Sequence, residues 1–321
     1  MDVTGGGGIA VVVPCFKVRD QVLGVLAGIG PEVSRIYVVD DDCPQKSGLL
    51  VEEECRDPRV EVLRHDSNRG VGAAVVTGYR RALEDGAEVL VKLDGDGQMD
   101  PSLVPRFARP ILDGEADYTK GNRFFNVEDV RQMPGLRFWG NAALSFLAKL
   151  ASGYWDVFDP NNGFTAIHSK VAALLPLSRL SERYFFESDV LFRLNTLRAV
   201  VAEVPIPARY GDEESSLQPL RVVPEFLGKH LANFAKRLFY NYFLRSFSIA
   251  SVNLVLGTLL VLMGAGWGGY AWLILGREGV FASTGQVMLA SLPIIIGVQM
   301  VLAFLGYDMA SVPRSTLHRR L

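Results

Sequence analysis

Up to about residue 206 the apolar positions come in short β-branched runs separated by amphipathic stretches, and that pattern predicts strands and helices in alternation. Strands are expected at 9–14 (IAVVVP), 35–40 (RIYVVD), 59–64 (RVEVLR), 88–94 (EVLVKLD) and 199–206, with helices near 19–28, 47–56, 70–85, 101–113, 136–152 and 186–198. Strand followed by helix followed by strand implies an α/β fold with a mostly parallel sheet. Ligands in such folds sit at the carboxyl ends of the strands, so the residues that terminate each strand become the ones to inspect.

The pattern changes further along. From Ser246 to Gly276 there are 31 positions without a charged side chain, and from Gly279 to Tyr307 there are 29. Each run exceeds the roughly 20 residues that cross a bilayer, and a soluble core helix of that length would need a solvated face. Two transmembrane helices are therefore expected. Ahead of them, Lys229, His230, Lys236, Arg237 and Arg245 punctuate an apolar and aromatic stretch with Leu227, Leu231, Phe234, Leu238, Phe239, Tyr242 and Phe243, as in a helix lying in the membrane interface. Arg314, His318, Arg319 and Arg320 follow the second span, whereas Arg277 and Glu278 alone are charged between the two. This bias places both termini in the cytoplasm. The expected divisions are 1–216 for a cytoplasmic catalytic domain, 217–245 for amphipathic juxtamembrane helices, 246–307 for the two spans and 308–321 for a basic cytoplasmic tail.

Composition narrows the classes without choosing among them. In 321 residues, 49% are apolar, which supports a real core and excludes a disordered chain. The formal net charge of -2 gives no global attraction for nucleic acid. Cys15, Cys43 and Cys55 form neither an even disulfide set nor a zinc-type CxxC pair, and they suit a reducing compartment. The opening MDVTGGGG has no basic n-region of a signal peptide.

The strand ends carry the chemistry. The second predicted strand ends in Asp40, Asp41 and Asp42, the third leads to Asp66, Asn68 and Gly70, and the fourth ends in Asp94, Gly95 and Asp96. A single Asp-Gly pair is ordinarily a turn former. Several acids on one rim repel one another unless a cation or a donor-rich ligand sits among them, and Mg2+ or Mn2+ with substrate phosphates is such a ligand.

The ordered set VVVP with Pro14, VVDDD at 38–42, NRGVGAA at 68–74, LDGDGQMDP at 93–101 and GNR at 121–123 resembles family 2 glycosyltransferases with a GT-A nucleotide-sugar-binding fold. The segments DPNNGFTAI at 159–167, FFESD at 185–189 and VPIPARYGDEESS at 204–216, together with the paired spans, are similar to the polyprenyl-phosphate branch of the dolichyl-phosphate mannose synthase type. The resemblance implies a nucleotide-sugar site of Pro14, Phe16, Asp40, Asp41, Asn68, Gly70 and Asp94. It implies a metal site of Asp94, Asp96 and Gln98 for Mg2+ or Mn2+, and an acceptor-phosphate site of Arg123 and Arg137. Asp96, Arg123 and Arg137 are the residues on which catalysis is expected to rest. The implied reaction is inverting transfer from GDP-mannose or a UDP-hexose to undecaprenyl or dolichyl phosphate.

The chain also departs from that pattern. PCFKV stands where the family often has Pro-x-Tyr-Asn-Glu, so Val18 replaces a glutamate that helps hold the base and leaves the base open. Asp42-Cys43 replaces Gly-Ser, and Thr165 replaces an often basic residue. Glu187 and Asp189 are candidate acid or base groups that surface charge explains equally well. Gly264 and Gly268 are four apart and could form a helix-pairing face for a homo-oligomer. GGGG at 5–8 lacks the lysine and hydroxyl of a phosphate-binding loop and reads as a leader. Two other functions compete: extension of a polysaccharide through a sugar-hydroxyl acceptor, which needs a base such as Asp189 or Glu187, and a catalytically silent membrane scaffold.

Overall fold

The computed structural model describes residues 7–125, 135–207 and 219–321, the side chains of 135–139, 141 and 219–223 excepted. Two compact units emerge, one of Met1–Phe234 with Pro313–Leu321 and one of Ala235–Val312.

The first unit is built on a seven-stranded sheet. Its strands are β1 (Ile9–Cys15), β2 (Val33–Asp40), β3 (Val60–Arg64), β4 (Val89–Lys92), β5 (Tyr118–Asn122), β6 (Thr165–His168) and β7 (Val201–Pro205), in the spatial order β3-β2-β1-β4-β6-β5-β7. The continuous apolar run of β1 is buried along its whole length, as a central strand covered on both faces requires. It pairs in parallel with β2 and β4, while β6 runs antiparallel to both β4 and β5. The helices are α1 (Val22–Ala27), α2 (Ser47–Glu54), α3 (Val71–Glu84), α4 (Val104–Leu112), α5 (Gly135–Ser152), α6 (Ser169–Leu174), α7 (Phe186–Leu197) and α8 (Pro219–Phe239). Val11, Val13, Val89, Val91, Phe107, Ile111 and Phe164 meet in the core, where the Phe107 and Phe164 rings stack at 3.8 Å.

All five strands expected from the pattern are present. β5 and β6 were not expected, and the reason is chemical. β5 reads YTKGN and buries Thr119, Lys120 and Asn122, so it lacks the apolar run that marks a strand. β6 has four residues, too few to show a period.

Residues Pro313–Leu321, which fall within the expected basic tail 308–321, belong to the first unit. Asp117, fully buried just before β5, accepts from the backbone of Leu317 and His318 at 2.8 Å each and from His318 Nδ1 at 2.7 Å. It also accepts from Val200 N at 2.7 Å. The His318 ring stacks on His168 at 4.3 Å, and Arg319 donates to the carbonyl of Asp113.

In the second unit, α9 (Ile249–Glu278) and α10 (Thr284–Ala310) form an antiparallel hairpin. Both are long and apolar enough to cross a membrane. Only 22% and 11% of their most apolar windows are buried, the reverse of a core helix in a soluble protein. Arg277 and Glu278 complete the last turn of α9, leaving Gly279–Ser283 as the connection. A Cβ on Gly264 would lie 2.6 Å from the carbonyl of Ala290, and one on Gly297 would lie 2.7 Å from that of Gly257. The face expected to pair copies of the chain thus has Gly264 already committed to the neighbouring helix of the same chain. At the hairpin's open end Arg237 makes a two-pronged ion pair with Asp308 at 2.6 and 3.0 Å, and Tyr242 donates to the same carboxylate at 2.6 Å.

On α8 the polarity is inverted. His230, Asn233 and Arg237 are buried, while Leu227, Leu231 and Phe239 are exposed. In water that arrangement would be unfavourable, whereas the headgroup region of a bilayer favours it.

Candidate active site

The carboxyl ends of β1, β2 and β4 meet on one rim, as the parallel register of these strands requires. Beyond β1, Lys17 adopts a left-handed backbone and its N–H points at Cys43 Sγ, 3.0 Å away. The Arg19 guanidinium donates to the carbonyl of Gln45 at 2.9 Å. These contacts tie the loop after β1 to the loop after β2 and leave the Phe16 ring exposed beside Pro14.

Asp40 and Asp41, expected in the nucleotide-sugar site, accept from donors of the protein itself. Asp40 accepts from the N–H groups of Cys43 and Gly48 at 2.7 Å each, the latter in the first turn of α2. Asp41 is buried and accepts from His65 Nδ1 at 2.6 Å, Asn68 Nδ2 and Arg69 N at 2.9 Å each, and Gly70 N at 2.7 Å. Asn68 and Gly70 are brought to the rim, where they hold Asp41. With four donors Asp41 is satisfied where it stands, and both aspartates shape the loops at the strand ends.

After β4 the chain turns sharply. Asp94 and Asp96 are half-buried and Gln98 is exposed, and Asp96 Oδ1 accepts from Gln98 N at 3.0 Å. Asp94 Oδ1 lies 2.7 Å from Lys92 Nζ, and Lys92 also lies 3.3 Å from Glu187 Oε1 at the start of α7. Burial works against the charge on Lys92, but Asp94 and Glu187 outweigh it and hold its ammonium above the ordinary lysine range. Among the described residues no group of three or more His, Cys, Asp or Glu gathers as a metal centre. Two carboxylates and one amide oxygen make a partial set of hard ligands, which fits a divalent cation whose shell is completed by diphosphate oxygens and water.

Across the rim, Arg123 follows β5 and is gripped by Asp159 in two-pronged fashion, at 2.8 Å from Nε and 3.1 Å from Nη2. Glu203 on β7 accepts from the N–H groups of Phe158 and Asp159 and from Asn122 Nδ2, so the loop that holds Arg123 is itself fastened. Burial raises the Glu203 carboxyl above its ordinary range. The side chain of Arg137 on α5 and the segment 208–216 lie outside the described residues.

Asp189 is buried and spent on the segment before its helix and on the helix itself. It accepts from Ser181 N at 2.9 Å and pairs with Arg193 at 3.3 Å. Glu187 faces Lys92. Two groups escaped the reading of the sequence, Lys92 and Lys120. The signal for the first was present, a lysine inside the otherwise apolar run VLVKL.

A model of the family described as "Glycosyl transferase family 2" matches residues 10–174, just over half of the chain. The chain is 28% identical over 218 residues to UDP-N-acetylglucosamine–dolichyl-phosphate N-acetylglucosaminyltransferase of Methanococcus voltae, covering 64% of this chain and 86% of that one. It is 32% identical over 205 residues to polyprenol monophosphomannose synthase of Mycolicibacterium smegmatis, covering 61% and 75%. Undecaprenyl-phosphate mannosyltransferase of Micrococcus luteus is 29% identical over 203 residues, covering 62% and 82%. Among solved structures, glucosyl-3-phosphoglycerate synthase from Mycobacterium tuberculosis, crystallised with Mn2+ and UDP, superposes with a TM-score of 0.54 at 20% identity. That alignment covers 72% of this chain and 80% of that one, and it establishes the GT-A-like fold.

Proposed function

The chain belongs to glycosyl transferase family 2, and from that premise we propose that it moves a hexose unit from a nucleoside diphosphate sugar to the phosphate of a polyprenyl phosphate, with inversion, at the cytoplasmic face of a membrane. The observation that carries the reading is Arg123, a guanidinium held by Asp159 at the same rim as Asp94 and Asp96. A planar cation with a fixed orientation suits a phosphate, and the acids opposite suit a metal-bound diphosphate. Relatives named for transfer to dolichyl, polyprenol and undecaprenyl phosphates support the acceptor class. Because those relatives carry both N-acetylglucosamine and mannose, the sugar and base are left as GDP-mannose or a UDP-hexose.

Asp94, Asp96 and Gln98 would hold Mg2+ or Mn2+. Such an ion, when bound, offsets the charge that develops on the departing diphosphate. Pro14 and Phe16 border the nucleotide side, where the exposed Phe16 ring offers a stacking surface. Arg123, with Arg137 as its expected partner, orients the acceptor.

No protein base is required. A phosphate monoester has its second pKa near about 6, so the acceptor is mostly a dianion at neutral pH. Glu187 and Asp189, the bases a sugar-hydroxyl acceptor would need, are engaged with Lys92 and with Ser181 and Arg193. The inverted polarity of α8 and the two candidate spans support a membrane setting. The chain leaves the catalytic unit for the hairpin and returns to the same unit through Pro313–Leu321, which supports placing both on one side.

The test is transfer from labelled nucleotide sugars by the full-length enzyme in detergent, comparing a polyprenyl phosphate with the same polyprenol lacking phosphate. Product is expected from the phosphate alone and only with a divalent cation. Comparable glycosylation of the free alcohol would overturn the reading in favour of a hydroxyl acceptor. Arg123→Gln is expected to raise the apparent constant for the acceptor far more than that for the donor.

A further inference from the structure

Lys92 ends β4 and Lys120 lies in the middle of β5, and both side chains are fully buried. An ammonium in such a place persists only with partners. Lys92 Nζ reaches Asp94 and Glu187, and it also donates to the carbonyl of Gly163 at 3.1 Å. Lys120 Nζ donates to the carbonyl of the preceding residue, Asn162. Two consecutive carbonyls of one loop are therefore each gripped by a buried lysine.

The path continues from Asn162. Its Nδ2 donates to Asp159 Oδ2 at 3.3 Å, and its Oδ1 accepts from Phe164 N at 2.9 Å. Asp159 in turn holds Arg123. Asp94, on the donor side, is thus joined to Arg123, on the acceptor side, through Lys92, Gly163, Asn162 and Asp159. Little slack exists along the way. A Cβ on Gly163 would fall 2.7 Å from both Asp94 Oδ2 and Lys92 Nζ, and one on Gly121 would fall 2.8 Å from Asn162 Oδ1.

We propose that the segment Asp159–Gly163 couples the two substrate subsites, so that a metal-bound nucleoside diphosphate and a polyprenyl phosphate each strengthen binding of the other, with Lys92, Lys120 and Asn162 as positioning residues. This rests on the function proposed above. The physical reason is that one loop position must serve both ends. Asp94 is aimed by a lysine that holds the loop, and Arg123 is aimed by a carboxylate that belongs to it. Whichever ligand arrives first fixes that position, and the second meets a subsite already ordered.

Calorimetric titration of the full-length enzyme in detergent tests the coupling. The probes are Mn2+–UDP or Mn2+–GDP, whichever binds, and farnesyl phosphate, none of which turns over. In the wild type each probe is expected to tighten the other by the same factor, about fivefold or more. Lys120→Met and Asn162→Ala touch neither ligand, and each is expected to bring that factor to about one while both probes still bind. Thermal melting checks that each variant folds, and Asn162→Ala decides the matter if Lys120→Met does not. Independent binding in the wild type, or undiminished coupling in the folded variants, would overturn the inference alone. Failure of farnesyl phosphate to bind at all would overturn the acceptor reading and the coupling with it.

Discussion

Asp117→Asn tests whether the last nine residues are part of the catalytic unit or merely rest on it. The Asp117 carboxylate is fully buried, and its two oxygens accept from Val200 N, Leu317 N, His318 N and His318 Nδ1 at 2.7 to 2.8 Å. An asparagine offers one acceptor in place of two and turns its amide N–H2 toward backbone N–H groups, which can only donate. At least one buried donor is orphaned, at roughly 1–3 kcal/mol, and the surviving bonds lose their charge assistance. A total near 3 kcal/mol follows, which for a unit of this size is a fall in Tm of about 6–12 °C. Differential scanning fluorimetry reads the fall, and hydrogen exchange at Leu317 and His318 reads release of the segment. The same substitution in a chain lacking Pro313–Leu321 supplies the control. There only the Val200 bond remains, which the asparagine oxygen can accept, so the further loss is expected to be under about 1 kcal/mol. Equal losses in the two backgrounds, or protected amides at 317 and 318 in the variant, would refute the reasoning.

Three other outcomes are expected. Asp96→Asn removes one formal charge from the set that would hold the metal, and it should raise the apparent Mn2+ constant at least about tenfold, read by electron paramagnetic resonance, with no change in melting; an unaltered constant would remove Asp96 from that role. In a chain otherwise free of cysteine, a probe at Gly279→Cys should label from outside intact cells and one at Ser315→Cys should not, and the opposite pattern would invert the proposed topology. Burial depresses His168, with His318 and Lys170 adding to the effect, and burial depresses His230, each to about 4. The unfolded chain takes up these protons near about pH 6.5, so between that pH and 4 the folded state binds fewer. Stability is therefore complete above pH 6.5 and falls as pH drops through the window, and His230→Phe should flatten the slope of Tm against pH; an unchanged slope would exclude its contribution.

The parts of the fold that the sequence discloses are those governed by apolar periodicity. β1, β2 and β4 alternate with helices, and α9 and α10 carry no charge from Ile249 to Gly276 and from Thr284 to Tyr307, so one property identifies each. β5 and β6 obey a different rule. They carry Thr119, Lys120, Asn122 and Thr165 into the interior, where Thr119, Lys120 and Asn122 bond the chain segments around them, and a strand that buries polar groups has no hydropathy signature. The docked tail is hidden for a similar reason. Arg319 and Arg320 read as solvated charge, and nothing local reveals that Asp117, some 200 positions earlier, receives His318.

The same distinction separates the acids of the rim. Asp40, Asp41, Asp94 and Asp96 look alike in sequence, each an aspartate at the end of a β-branched run. Their surroundings sort them into two kinds. Asp40 and Asp41 accept from N–H groups of the loops they anchor, two for Asp40, while four donors fill the acceptor sites of Asp41. Asp94 is balanced on one side by a buried lysine and keeps its other oxygen beside Gly163, and Asp96 receives a backbone N–H from Gln98. A strand can therefore end in concentrated negative charge for two unrelated reasons, to hold its own loops or to hold a ligand. Lys92 marks the second case, because a protein that only needed to fold would not place an ammonium at the end of a central strand to restrain a carboxylate.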